Sequence, residues 1–76
     1  MQKAPLNETK RGRFKRLATL RTNEVLRSLK VLGNCANRSA YDYNEEDIRK
    51  IFSEIDRRLK EVKAKFHFPG YKKFKL

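Results

Sequence analysis

The fold is decided by residues 44–66, NEEDIRKIFSEIDRRLKEVKAKF. Ile48, Ile51, Phe52, Ile55, Leu59, Val62 and Phe66 recur at steps of three and four without a gap, which is one face of a helix. The start is marked as well. Asn44 is a capping residue, and Glu45, Glu46 and Asp47 follow it into the first turn, where the helix dipole favours negative charge. Lys60, Lys63 and Lys65 stand near the other end, where the dipole favours cations. Pro69 and Gly70 stop any helix beyond about Phe66.

Upstream, Phe14, Leu17, Ala18, Val25, Leu29, Leu32 and Ala36 give a second helical stripe. Arg21 and Thr22 stand where that stripe should continue, so it is weaker than the other. The stretch between the two, LGNCANRSAYDY at 32–43, reads as a helix end and a bend. Gly33 lies inside the helical pattern and leaves room for a close approach. Asn37 tolerates positive φ and is the expected left-handed cap. Tyr41 and Tyr43 are placed to fold back over the bend.

The expectation is an all-α antiparallel two-helix hairpin, about 13–37 and 45–66. A disordered basic N-terminal tail (1–12) and a basic-aromatic C-terminal tail (67–76) flank it. So short a chain buries little apolar surface, and a lone hairpin falls short of stability. Dimerisation into a four-helix bundle, or docking on a larger assembly, is the expected remedy. Cys35 is the only cysteine, so no disulfide within the chain can staple it.

Charge narrows the function. Twenty Lys and Arg against nine Asp and Glu leave a net +11. Residues 1–23 carry +6, 24–40 carry +2, 41–56 carry −4 and 57–76 carry +7. A closed hairpin would gather both strongly basic segments at its open end, a pole suited to a polyanion. The expected nucleic-acid contacts there are Lys10, Arg11, Arg13, Lys15, Arg16, Arg57, Arg58, Lys63, Lys65, Tyr71, Lys72 and Lys73. Arg27, Lys30 and Arg38 join them along a polar side of the first helix that also holds Asn23, Asn34 and Asn37. A solvated face has the same composition. Phe66, His67, Phe68, Tyr71 and Phe74 stand among the basic residues of the tail. Such rings can stack on bases, which favours single strands, or they can cap a core.

Catalysis is not expected. One histidine and one cysteine suggest no nucleophile–base pair, and no glycine-rich phosphate loop occurs. Neither a cofactor, a metal ion nor a small-molecule substrate is expected, since Cys35 and His67 are far too few for a zinc site. No apolar run is long enough to span a bilayer, and the N-terminus lacks the apolar core of a signal peptide. With a free thiol, this points to the cytoplasm. A basic amphipathic helix can lie on an anionic membrane, but the broken stripe and the lack of tryptophan weigh against that. The expected activity is a nucleic-acid-binding accessory role, RNA or single-stranded DNA preferred. The alternative is a protein-interaction module bound through its apolar stripe.

The GN-x-x-NR-x-x-Y-x-Y turn at 33–43 and the D-I-x-K-I-F start of the second helix at 47–52 resemble small uncharacterised proteins of bacteria and their mobile elements. The resemblance spans about Leu29 to Phe66. It implies a helical hairpin of bacterial or phage origin, with no activity and no site residues attached.

Overall fold

A computed structural model describes residues 7–66. Among them the chain is all-α: helix α1 runs Lys10–Gly33, a short 3-10 turn covers Asn34–Ala36, and helix α2 runs Glu45–Ala64. The chain divides into two units, Met1–Tyr41 and Asp42–Leu76, each described by itself below.

In the first unit, α1 begins three residues earlier than the hydrophobic pattern indicates. The reason is a cap. Thr9 is extended (φ −74°, ψ 165°), and its hydroxyl accepts the Gly12 N–H at 3.0 Å. The Thr9 carbonyl takes the Arg13 N–H at 2.9 Å. Polar residues 10–12, which the sequence assigned to a disordered tail, are therefore the first turn of a helix. Capping is blind to hydrophobic periodicity, so the stripe alone misplaces this start.

The other end of α1 also departs from expectation. The α-helix stops at Gly33 rather than at 37, tightening into the 3-10 turn. Asn37 is extended (φ −68°, ψ 103°), not left-handed. It turns the chain through its side chain instead. Its Oδ1 accepts the Ser39 N–H at 3.0 Å, and its carbonyl accepts Ala40 and Tyr41 N–H at 3.1 and 3.0 Å. A side-chain carbonyl of Asn can replace the backbone group that a left-handed cap would supply. Tyr41 is 54 % exposed, while Tyr43 is half-buried.

Gly33 has helical φ (−59°), and a Cβ added there would meet nothing within 4 Å. Alanine fits without strain and removes backbone entropy from the unfolded chain. Gly33→Ala should therefore stabilise the end of α1 by roughly 0.5–1 kcal/mol, read as a higher midpoint in thermal melting by circular dichroism.

In the second unit, the start of α2 is as the sequence indicates. Asn44 is extended (φ −119°, ψ 174°) and its Oδ1 accepts the Asp47 N–H at 2.8 Å. Asp47 returns the contact, its carboxylate accepting the Asn44 N–H at 3.1 Å. This reciprocal box satisfies two backbone donors that water would otherwise have to serve. Asn44→Ala should cost about 1 kcal/mol and Asn44→Gly only a few tenths, measured by the same melting experiment. The helix closes at Ala64 rather than at 66. Lys65 and Phe66 N–H donate to the Val62 and Lys63 carbonyls at 3.0 and 3.1 Å, a tightened last turn.

Neither helix buries a residue completely. On α2, Ile48 and Ile51 are 36 % and 38 % exposed and Leu59 53 %, and Phe66, just past its end, is 64 % exposed. The apolar face that defines this helix is exposed at its other large residues and half-buried at Ile55.

Candidate nucleic-acid interface

A basic side chain that an acid of its own chain already holds must give up part of that pairing, worth about 0–1 kcal/mol at a surface, to contact a phosphate. The structure sorts the expected contacts by that pairing.

At the start of α1, Lys10, Arg11, Arg13, Lys15 and Arg16 occupy the first two turns, and no acid stands in the first turn. Cations there oppose the helix dipole. One acid compensates. Glu8, just outside the helix, faces back along it and takes a two-pronged hydrogen bond from Arg16, Nε to Oε2 at 2.8 Å and Nη2 to Oε1 at 2.9 Å. Arg13 Nε stands 3.9 Å from Oε1. The Glu8 side chain keeps only 8 % of its exposure. The hydrogen bond from Arg16, helped by the charges of Arg16 and Arg13, holds the Glu8 carboxyl below its ordinary value of 4.5; loss of solvent contact opposes this. The same bond raises the Arg16 guanidinium above its ordinary value.

A depressed folded pKa gives a stabilisation that is complete above 4.5 and lost as the pH falls through the depressed value. A carboxyl-resolved NMR titration should therefore place the Glu8 midpoint below 4.5 and return it towards 4.5 in Arg16→Gln. Glu8 was the residue that sequence reasoning passed over. Its partner lies eight residues away, beyond the three- and four-residue steps by which helix pairs are found.

The remaining cations of this end are differently placed. The Arg11 guanidinium lies 5.8 Å from the centre of the Phe14 ring. Lys10 and Lys15 have no acidic partner within ion-pair distance among the described residues. Further along, Asn23, Arg27 and Lys30 share the polar side of α1, and Asn34 continues it in the 3-10 turn. Asn37 and Arg38 fall beyond the helix, and the Asn37 side chain is spent on its turn, so the expected stripe ends earlier.

On α2 the two arginines expected at the pole are both engaged. Arg57 reaches Glu54 and Glu61, and Arg58 reaches the same two acids at 3.2 and 3.6 Å. Two cations and two anions make a locally neutral cluster. The Glu54 carboxyl is held below its ordinary value, first by the hydrogen bond from Arg57 and then by that from Arg58. Arg57 is raised by the same contact. Lys60, Lys63 and Lys65, over the next two turns, have no acidic partner within ion-pair distance among the described residues. Tyr71, Lys72 and Lys73 lie outside the described residues.

No three His, Cys, Asp or Glu side chains gather closely enough to hold a metal ion among the described residues. No helix among them is long and apolar enough to cross a membrane. No protein-family model, curated protein or solved structure matches this chain.

Proposed function

We propose that this chain is a small, non-catalytic nucleic-acid-binding protein that holds the phosphate backbone of RNA or single-stranded DNA. The observation that carries this is the first two turns of α1, which place five cations at the positive end of a helix with one glutamate against them. That arrangement costs stability in the free protein, and it is favourable once a phosphate supplies the missing anions. Arg27 and Lys30 add further cations on α1, and Lys60, Lys63 and Lys65 form a separate basic group at the end of α2. The exposed Cys35 stays a thiol in a reducing cytoplasm, where such a partner is abundant.

A second function is favoured by a different observation, the open apolar face of α2. A protein-interaction module would bind through that face and use its charges only to steer approach.

Fluorescence anisotropy with labelled single-stranded RNA and duplex DNA, over a series of salt concentrations, separates the two. Binding that weakens linearly in log–log form with salt supports the phosphate-holding role, and the slope reports the contacts made. Absence of binding to either ligand near physiological salt removes it and leaves the protein-interaction module.

A further inference from the structure

We propose that the apolar face of α2 is a self-association surface: it pairs with the same face of a second copy of this chain, antiparallel, about a twofold axis at the level of Arg57. This does not rest on nucleic-acid binding.

The spacing comes first. Ile48, Phe52, Ile55, Leu59, Val62 and Phe66 follow steps of four, three, four, three and four, the seam of a coiled coil. The series reads the same in both directions. Reversing one helix therefore lays Phe52 on Val62 of the second copy and Ile55 on Leu59, and brings Ile48 to Phe66, two residues past the end of α2. Each layer joins one β-branched side chain with one phenylalanine or leucine. A parallel, in-register pair would instead stack Phe52 and Phe66 on their twins and Val62 on its own, alternating wide layers with narrow ones. Close packing favours layers of even volume.

Charge selects the same direction. The first turn of α2 is Glu45, Glu46 and Asp47, and its far end carries Lys60, Lys63 and Lys65. An antiparallel pair sets acids beside lysines at both ends and opposes the two helix dipoles; a parallel pair sets like beside like. Near the axis, the two copies of Arg58 approach each other, but each is already matched by Glu54 and Glu61 of its own helix. Arg49 faces Lys63 of the second copy and Asp56 faces its twin, which are the like-charge approaches. Asp56 and Lys63 share that flank, with Lys63 of the other copy about 7.5 Å along the axis from each Asp56. The first helix is the poorer mate, because Arg21 and Thr22 interrupt its stripe. The pair would present its two lysine groups roughly 20 Å apart along the axis, at 1.5 Å per residue.

The test uses the full chain carrying Cys35→Ser. Sedimentation equilibrium at micromolar concentration, without nucleic acid, should give twice the chain mass. In the same background, chains with Ile48→Cys and chains with Phe66→Cys are mixed and oxidised. The expected product is the disulfide between the two different chains, with Ile48→Cys alone giving none, since an antiparallel pair holds those two sites about 27 Å apart. A single-chain mass at every concentration overturns the proposal, and is what closure of α1 over this face would give. Efficient cross-linking of Ile48→Cys to itself overturns it in favour of a parallel pair. The mass of the Cys35→Ser chain stands as a readout even if a cysteine variant fails to fold.

Discussion

Replacing Lys60, Lys63 and Lys65 together by glutamine should weaken binding to single-stranded RNA roughly 50-fold near physiological salt. Each lysine that neutralises a phosphate contributes about 0.7 to the slope of log affinity against log salt on a single strand. Three lost contacts should therefore flatten the slope by about 2. The matched control removes the same charge elsewhere. Arg16, Arg57 and Arg58 are held by Glu8, Glu54 and Glu61 of the same chain. Their triple replacement by glutamine should cost much less, on the order of threefold, and barely change the slope, because those arginines release few counterions on binding. Anisotropy titrations of both variants, with helicity checked by circular dichroism, decide the matter. Equal losses in the two would mean that only net charge counts and that the ion pairs do not select contacts.

Ile55→Asp should abolish self-association and the α2 share of the helical signal at once. Ile55 sits at mid-seam and is the least exposed large apolar residue of the face. Withdrawing it forfeits roughly 1.5–3 kcal/mol in each copy. Two copies together weaken dimerisation by at least about a hundredfold. A buried carboxylate without a partner adds further cost. Helices of this length are marginal alone in water, so the loss of the pair should appear as a loss of helix. Ser53→Asp, on the opposite side of α2, should leave both mass and helicity unchanged. Sedimentation and circular dichroism on the two variants read the difference. Full helicity in monomeric Ile55→Asp would show that α2 is stabilised by capping and local ion pairs alone.

Those ion pairs mark a boundary between what was readable and what was not. The expectation of engaged phosphate contacts treated Arg57, Arg58 and Lys63 alike, since each is one positive charge in the same basic segment. In the structure the arginines reach Glu54 and Glu61 at three- and four-residue steps, whereas Lys63 meets no acid among the described residues. The spacing was visible beforehand. Which of several possible partners each guanidinium takes depends on side-chain rotamers and on the fork geometry of arginine, which a residue list does not hold.

Local chemistry, by contrast, was written out plainly. The all-α architecture, the position of α2 and the cap at Asn44 follow from periodicity and from the pairing of Asn44 with Asp47, both confined to a few neighbouring residues. Physical reasoning on the sequence alone determines these because helix hydrogen bonds and caps close within four residues. The ends of α1 were decided by which side chains reach which groups. At its start Thr9 holds Gly12 while Glu8 reaches Arg16 eight residues on, and past its end at Gly33 the chain tightens into a 3-10 turn that Asn37 closes through its own side chain. Several backbone and side-chain groups compete for each such position, and their relative placement in space settles which of them pair.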